Sequence, residues 1–117
     1  MQVKDILSEI EAHPSGTFIN LLEFNGQSFG AAEVVGLSPV WEMHPDTDEF
    51  FYILEGNFEV KLLRGHSIEL HMATAGTSFV IPQGIWHRLS APKPVKFIYY
   101  TPGTSLHSTA EDPRLSS

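Results

Sequence analysis

Short runs of β-branched and aromatic residues, separated by turn-forming residues, follow one another through most of this chain of 117 residues. Turn signals recur about every eight to twelve residues, which is typical of all-β sandwiches and barrels. The pair Asn25-Gly26 is a strong hairpin signal between two of these runs. The pattern predicts an all-β barrel or jelly roll with strands at residues 17–24, 28–35, 40–44, 49–54, 57–63, 68–72, 78–81, 86–90 and 95–101.

A short helix is predicted before the first strand. Apolar residues recur there with the period of a helix, at Val3, Ile6, Leu7 and Ile10. A helix of this length is not stable alone, so we expect it to pack on the barrel. The chain is thus predicted to have three parts: an N-terminal helix that packs on the barrel (1–16), the barrel (17–102) and an irregular C-terminal tail rich in Ser, Thr and Pro (103–117).

Three side chains that commonly bind metal ions lie within eight positions of the chain, namely Glu42, His44 and Glu49. Glu42 and His44 are two residues apart, so both point to the same face of a strand. Pro45 ends that strand because it has no N–H to donate, and Glu49 begins the next one. A short turn can bring the three side chains together, and His87 is the best candidate for a fourth.

The same stretch resembles the first sequence motif of small single-domain cupins of the cupin 2 type, written G-x5-H-x-H-x(3,4)-E-x6-G. His44 matches the second histidine, Glu49 the glutamate and Gly56 the last glycine. Glu42 stands where the motif has its first histidine, and the leading glycine of the motif is missing.

A later stretch resembles the second cupin motif, G-x5-P-x-G-x2-H-x3-N. Gly76, Pro82, Gly84 and His87 match it at the required spacing, and Ala91 replaces the asparagine. The resemblance covers roughly residues 25–102, which is most of the chain. The resemblance implies the double-stranded β-helix of the cupins, which is a jelly-roll-like barrel.

The resemblance also implies a metal site of two histidines and two glutamates: Glu42, His44, Glu49 and His87. Nitrogen and oxygen ligands without sulfur suit a divalent ion such as Mn, Fe, Zn or Ni, and the additional carboxylate makes Cu less favourable. The sequence leaves two alternatives open: Glu42 as a solvated strand residue, and the histidines as structural residues with hydrogen-bond partners in the barrel.

Several apolar and aromatic residues near the motifs are candidates to line a ligand pocket: Phe51, Ile53, Phe79, Trp86 and Tyr99. Packing in the core is the alternative for each of them. Tyr52 and Tyr99 each carry a phenol that is able to orient a substrate or to act as an acid, and the sequence does not choose between them. The remaining histidines lie near turns, the helix end or the tail, and are predicted to be surface residues: His13, His66, His71 and His107.

Composition excludes several classes of function. The net charge of −7 disfavours nucleic acid as a partner, because phosphates attract basic surfaces. No apolar run approaches the roughly 20 residues needed to span a bilayer, and the N-terminus lacks the pattern of a signal peptide. We therefore expect a cytoplasmic protein without a membrane partner. The chain has no cysteine, which excludes disulfides, thiolate ligands and a cysteine nucleophile.

Three functions are compatible with these features. The first is a metal-dependent enzyme that acts on a small organic molecule as an isomerase, a lyase or a dioxygenase. The second is a non-enzymatic cupin that binds or senses a small-molecule ligand and has a degenerate metal site. The third is a structural or interaction protein. The fold does not distinguish among them, because function depends on the site and not on the fold.

Strand parity also predicts a homodimer. If Glu49 points into the barrel, then Phe50, Tyr52 and Leu54 point outward, and Trp41 and Met43 do the same on the preceding strand. Such a row is unusually apolar for a protein surface. The N-terminal helix is one candidate to cover this row, but its apolar stripe has only four residues. A second subunit related by a two-fold axis is the other.

Overall fold

Nine antiparallel strands form a curled, barrel-like sheet, and one short helix lies outside it. The computed structural model describes residues 1–115; the last two residues of the predicted tail, 116 and 117, lie outside the described residues. The elements in chain order are α1 (Ile6–Glu11), β1 (Phe18–Phe24), β2 (Gln27–Leu37), β3 (Trp41–Met43), β4 (Glu49–Glu55), β5 (Asn57–Arg64), β6 (Ser67–Thr74), β7 (Ser78–Ile81), β8 (His87–Tyr100), β9 (Leu106–Ser108) and a 3-10 turn (Pro113–Leu115). The predicted all-β class with a short N-terminal helix is confirmed.

The longest strand, β8, connects the two halves of the barrel. Its first residues pair with β5 and its last residues pair with β4, while β2 pairs with both parts of it. β3 pairs with the start of β8, and β9 continues the sheet beyond β3. This arrangement lets β3, β4 and β8 contribute side chains to the same part of the interior.

β8 differs from the sequence prediction, which places a loop at residues 91–94 between two separate strands. In the structure β2 pairs with β8 on both sides of this segment, through Gly36 with Ala91 and Val34 with Val95. The additional residues of β8 form a bulge, so the two prolines within it do not have to donate to the ladder. The prolines make the segment look like a loop in the sequence. Hydrogen-bonded pairing with β2 nevertheless keeps it within one strand.

Side chains that alternate along neighbouring strands form the core. The buried residues are Phe51 and Ile53 on β4, and Phe58, Val60 and Leu62 on β5. The ring centres of Phe51 and Phe58 lie 6.3 Å apart. Burying each of these side chains stabilises the fold by roughly 1.5–3 kcal/mol. The same alternation places Glu49 on the inward face of β4, together with Phe51 and Ile53.

The helix α1 covers part of the outer face of the sheet. Asp5 caps its N-terminus, and the carboxylate accepts a hydrogen bond from the Ser8 backbone N–H at 3.0 Å, a contribution of about 1 kcal/mol. Ile10 is buried against Leu21 and Ala31, so the helix contacts the sheet through its apolar side. No helix within residues 1–115 combines the length and the apolar character that a membrane-spanning helix requires.

The prediction of an irregular tail over residues 103–117 is wrong in part, because β9 lies within it. β9 pairs with β3, for example through Ser108 opposite Trp41. Three residues are too few to show the period of a strand in the sequence, and the pairing depends on β3. Trp41, which is predicted to point toward solvent, is buried, with the guanidinium carbon of Arg88 6.0 Å from its ring centre.

Candidate metal centre

Two neighbouring strands place a glutamate directly opposite a histidine. Glu42 on β3 pairs with His87 on β8, so the two side chains point to the same side of the sheet. His44 follows directly after β3, and Glu49 begins β4. Each of the four residues contributes one donor atom to a cluster in which all four atoms lie within 4.8 Å of one another. The structure thus brings together the four residues that the sequence suggests as ligands.

The separations between the donor atoms suit a single bound ion. His44 Nε2 lies 3.4 Å from Glu42 Oε1 and 3.2 Å from Glu49 Oε1. His87 Nε2 lies 3.4 Å and 3.3 Å from the same two oxygens. Metal–ligand bonds of about 2.1 Å put two donors roughly 3.0 Å apart at a right angle and roughly 3.4 Å apart at the tetrahedral angle. The four histidine–glutamate separations fall within this interval.

Three of the donor atoms are buried and have no hydrogen-bond partner in the described part of the chain: His44 Nε2, Glu49 Oε1 and His87 Nε2. An unpaired buried polar atom costs about 1–3 kcal/mol, so nearly all such atoms in folded proteins have a partner. A cation at the common centre would satisfy all three at once. Glu42 is more accessible, with 31% of its side chain exposed.

Both imidazoles are held through the ring nitrogen that does not face the cluster. His87 Nδ1 lies 3.1 Å from the Ile85 carbonyl oxygen. His44 Nδ1 lies 3.1 Å from the Thr104 carbonyl oxygen and 3.0 Å from Ser105 Oγ. A Nδ1–H that donates to a carbonyl leaves the Nε2 lone pair available for a metal. These contacts therefore set the direction of both Nε2 atoms.

Both carboxylates are held through the oxygen that does not face the cluster. Thr101 Oγ1 donates to Glu49 Oε2 at 2.6 Å. His107 Nε2 lies 2.8 Å from Glu42 Oε2. Hydrogen bonds of this kind orient metal-binding carboxylates in proteins and change their affinity for the ion. All four candidate ligands are thus fixed by neighbours that are not ligands themselves.

Four residues near the C-terminus hold the candidate ligands and are not predicted to do so from the sequence: Thr101, Thr104, Ser105 and His107. His107 is predicted to be a surface residue; its side chain is 51% exposed, but it also contacts Glu42. Asp46 holds the C-terminal segment in place, because its carboxylate accepts hydrogen bonds from Thr104 N and Oγ1, both at 2.8 Å. No local pattern signals contacts between residues 52 to 65 positions apart. The polar residues just after the last predicted strand are the only hint.

A pocket of about 810 Å³ opens beside the cluster. This volume is typical of a site for a small molecule. Phe51 and Tyr99, two of the five residues suggested as pocket-lining, are part of its wall. Further aromatic rings complete this side of the pocket: Phe18, Phe58 and Phe97.

Three of the five suggested pocket-lining residues are not among the residues that form the wall. Ile53 is completely buried in the core. Phe79 stacks on Phe51, with ring centres 4.9 Å apart, and packs against the same core. Trp86 precedes β8, where its carbonyl accepts a hydrogen bond from Leu63 N at 2.9 Å. Alternation along a strand predicts the face of a residue but not its depth in the barrel. The sequence therefore does not distinguish residues of the pocket wall from residues of the core.

The cupin 2 family, described as a cupin domain, matches residues 33–105, which is more than half of the chain. The chain belongs to the cupin family. The family resemblance and the double-stranded β-helix predicted from the two motifs are thereby confirmed. A comparison with curated proteins gave no significant match.

Solved structures of other proteins share the fold of this cupin. A cupin-2 domain containing protein from Shewanella frigidimarina NCIMB 400 is 27% identical, with a TM-score of 0.76 over 86% of this chain and 94% of that chain. Hydroquinone 1,2-dioxygenase from Sphingomonas sp. TTNP3, with 4-hydroxybenzoate bound, is 16% identical, with a TM-score of 0.70 over 82% and 71%. Oxalate decarboxylase from Bacillus subtilis, which has Mn(II) centres, is 16% identical, with a TM-score of 0.58 over 68% and 23%.

The electrostatics of the cluster favour charged forms of all four side chains when no metal is bound. Burial alone would lower the pKa of both imidazoles, but their contacts with Glu42 and Glu49 outweigh it and raise the pKa of His44 to about 10 and that of His87 to about 9. Burial alone would raise the pKa of both carboxyls, but the two histidines hold each pKa below its usual value. A bound cation would take the place of the two imidazolium protons.

Proposed function

We propose that this cupin binds one divalent metal ion through Glu42, His44, Glu49 and His87 and uses it to bind and transform a small organic molecule. The observation that carries the proposal is the set of buried, unpaired donor atoms at separations that suit a single ion. The pocket supports it, because the same four residues form part of the pocket wall. A ligand in the pocket would therefore lie next to the ion.

The donor set favours a divalent first-row ion such as Mn, Fe, Zn or Ni. Two carboxylates balance the two positive charges, so the centre would be close to neutral once an ion is bound. The ion supplies Lewis acidity and makes a coordinated oxygen easier to deprotonate. The Mn(II) centres of oxalate decarboxylase, a protein with a similar fold, support a metal of this group.

The chain's own residues bind the carbon skeleton of the ligand. The rings of Phe51, Phe58 and Phe97 lie together in the pocket wall, with centres 5.1 to 6.3 Å apart. Such a wall excludes water and binds apolar groups through the hydrophobic effect. Ligand binding would therefore combine an apolar wall with an oxygen or nitrogen group directed at the ion.

The charges around the pocket argue against phosphosugars and other multiply charged substrates. Among the described residues of the pocket wall, Arg88 is the only lysine or arginine. Its Nε donates to the Ser38 carbonyl oxygen at 2.7 Å, and its guanidinium group lies near the Trp41 ring. A phosphate group normally binds to several donors, with arginine forming paired hydrogen bonds. We therefore assign the reaction to isomerisation, lyase chemistry or dioxygenation of an uncharged or singly charged molecule.

A non-enzymatic binding or sensing function is the second candidate. The observation in its favour is that, apart from the four candidate ligands, the pocket wall has few side chains able to exchange protons, namely Tyr99 and His107. Both functions require a small-molecule ligand. They differ in whether the bound molecule leaves unchanged, which mass spectrometry of ligands recovered from the metal-loaded protein would show.

Metal analysis of protein purified without a histidine tag tests the proposal directly. We expect about one divalent ion per chain, and loss of the ion in His87→Ala, because three ligands bind more weakly than four. His71→Ala is the matched control, since His71 contacts Glu69 on β6 at 3.0 Å, outside the cluster. A parent protein that neither contains nor takes up divalent ions would overturn the proposal.

A further inference from the structure

Gly30 lies within β2, directly opposite Tyr99 of β8. Gly30 is not among the glycines with a positive φ, so its backbone conformation does not require a glycine. A Cβ added at Gly30 would lie 2.5 Å from both Cε1 and Oη of Tyr99. Carbon atoms in favourable contact are about 3.5–4.0 Å apart. The tyrosine ring therefore lies over the glycine, in space that any side chain at this position would fill.

Tyr99 lies at the boundary between the aromatic wall and the candidate metal centre. Its ring centre is 5.9 Å from that of Phe18 and 5.8 Å from that of Phe97. Thr101 directly follows β8 and donates its hydrogen bond to Glu49, and Tyr99, Thr101 and Glu49 all belong to the pocket wall. A change in the position of the Tyr99 ring would therefore alter the pocket next to the cluster without changing any candidate ligand.

The phenol group of Tyr99 is available to a ligand. Tyr99 belongs to the pocket wall, and its hydroxyl has no hydrogen-bond partner among residues 1–115. Burial, together with the negative charges of Glu49 and Glu42, raises the pKa of this phenol, so it remains a donor at neutral pH. The hydroxyl can donate only to water or to a ligand in the pocket.

We propose that Gly30 and Tyr99 together determine which ligands this cupin accepts. Gly30 lets the Tyr99 ring lie against the barrel wall, which keeps the pocket open, and the Tyr99 hydroxyl donates a hydrogen bond to an oxygen of the ligand. The ligand class that fits is a flat, largely apolar molecule with one oxygen acceptor, such as a para-substituted phenol. This inference rests on the proposed ligand-binding function but not on the identity of the metal.

Two phenols of different length test the role of Gly30. Phenol and 4-butylphenol are titrated into the zinc-loaded protein, and binding is followed by ligand-observed NMR. Gly30→Ala would push the Tyr99 ring into the pocket, so we expect 4-butylphenol to bind about tenfold more weakly while phenol is little affected. Adding Tyr99→Leu to this variant removes the ring together with its hydroxyl. Both phenols then lose the hydrogen bond equally, so the ratio of their affinities should return to that of the parent. The zinc content should be the same in all variants.

A second measurement isolates the hydroxyl. Tyr99→Phe keeps the ring and removes the donor, so we expect about fivefold weaker binding of both phenols. Butylbenzene has no oxygen and is the matched control ligand. Its affinity should be equal for the parent and for Tyr99→Phe.

Three results would overturn the inference: no binding of 4-butylphenol to the parent, an equal loss of affinity for both phenols in Gly30→Ala, or no recovery of the ratio of the two affinities in the double variant. If Gly30→Ala does not fold, Tyr99→Leu alone decides the question, because it should improve binding of 4-butylphenol relative to phenol. A parent that does not bind zinc would contradict the proposed function instead. The same titrations on the zinc-free protein would then still show whether Gly30 determines the size of the pocket.

Discussion

His107 of β9 places its Nε2 atom 2.8 Å from Oε2 of Glu42, its direct partner on the neighbouring strand. Glu42 therefore lies between two histidines in one cross-strand row, with His87 on its other side. Its Oε1 faces His87 and its Oε2 faces His107. The direction in which Glu42 presents an oxygen to the cluster thus depends on a residue that is not one of the four candidate ligands.

Removing the His107 side chain should weaken metal binding although all four candidate ligands remain. In His107→Ala, Glu42 loses the partner of Oε2 and is free to turn away from the cluster. Loss of such a partner typically costs about 10–100-fold in affinity for the ion, which competition with a chelating indicator would measure. His71→Ala removes a histidine that contacts a glutamate elsewhere and should leave the affinity unchanged. Equal affinities of His107→Ala and the parent would show that the contact does not orient Glu42.

Replacing Glu42 by histidine should change which metals the centre prefers. Glu42→His restores the first histidine of the cupin motif, and imidazole favours late divalent ions such as Ni, Cu and Zn over Mn. Parallel titrations with Mn and Ni should therefore show a gain in relative affinity for Ni. Glu42→Gln is the control, because it removes the charge without adding a nitrogen ligand and should weaken binding of every ion. Identical selectivity in the parent and in Glu42→His would mean that Glu42 does not bind the ion.

Metal binding should release protons at neutral pH. Without a metal, the raised pKa values of about 10 for His44 and about 9 for His87 keep both imidazoles protonated at pH 7. A metal ion requires both Nε2 lone pairs, so binding releases about two protons per ion. The pKa values of Glu42 and Glu49 are lowered, so these groups are already ionised and release none. Apparent affinity should therefore rise with pH until pH 9 to 10.

Calorimetry in two buffers with different heats of ionisation would count the released protons. At ion concentrations high enough to load its weaker site, His87→Ala should release about one proton fewer than the parent, because one imidazolium is gone. Uptake of an ion by the parent without any proton release would contradict the assignment of both histidines as ligands.

The sequence predicts the site through features that are local in the chain. The two-residue spacing of Glu42 and His44 gives their common face, and the first motif adds Glu49. His87 is linked to them only by the second motif. The hydrogen bonds that hold these side chains come from residues near the C-terminus, and such distant contacts depend on how the sheet curls. The three residues of β9 are too few to show a period, and the bulge in β8 looks like a loop because it contains prolines.

The last prediction concerns an apolar stripe on the outer face of the sheet, formed by Val80, Phe50, Tyr100, Phe29 and Phe24. The first four are successive cross-strand partners on β7, β4, β8 and β2. The rings of Phe29 and Tyr100 stack with their centres 4.6 Å apart, and the centre of Phe24 lies 6.1 Å from that of Phe29. The two ends of the stripe are open to solvent, with Val80 53% and Phe24 61% exposed.

The helix covers the next row of the same face. Leu54 and Ile98 pack in the cluster that contains Ile10 of α1, so α1 protects this part of the sheet. Contiguous apolar patches of this kind are uncommon on monomers and often mark an interface. We therefore predict a homodimer in which two copies of the stripe meet about a two-fold axis, the commonest symmetry of oligomers.

Sedimentation equilibrium at micromolar concentration should give twice the mass of the chain. Val80→Glu introduces a charge into the stripe, and burying an unpaired charge is costly, so this variant should shift toward the monomer. Ile68→Glu is the matched control, because Ile68 is similarly exposed at 56% but lies on β6, outside the stripe. A parent that sediments as a monomer would show that the stripe remains exposed to solvent and forms no interface. Dissociation by Ile68→Glu and not by Val80→Glu would place the interface on β6 instead.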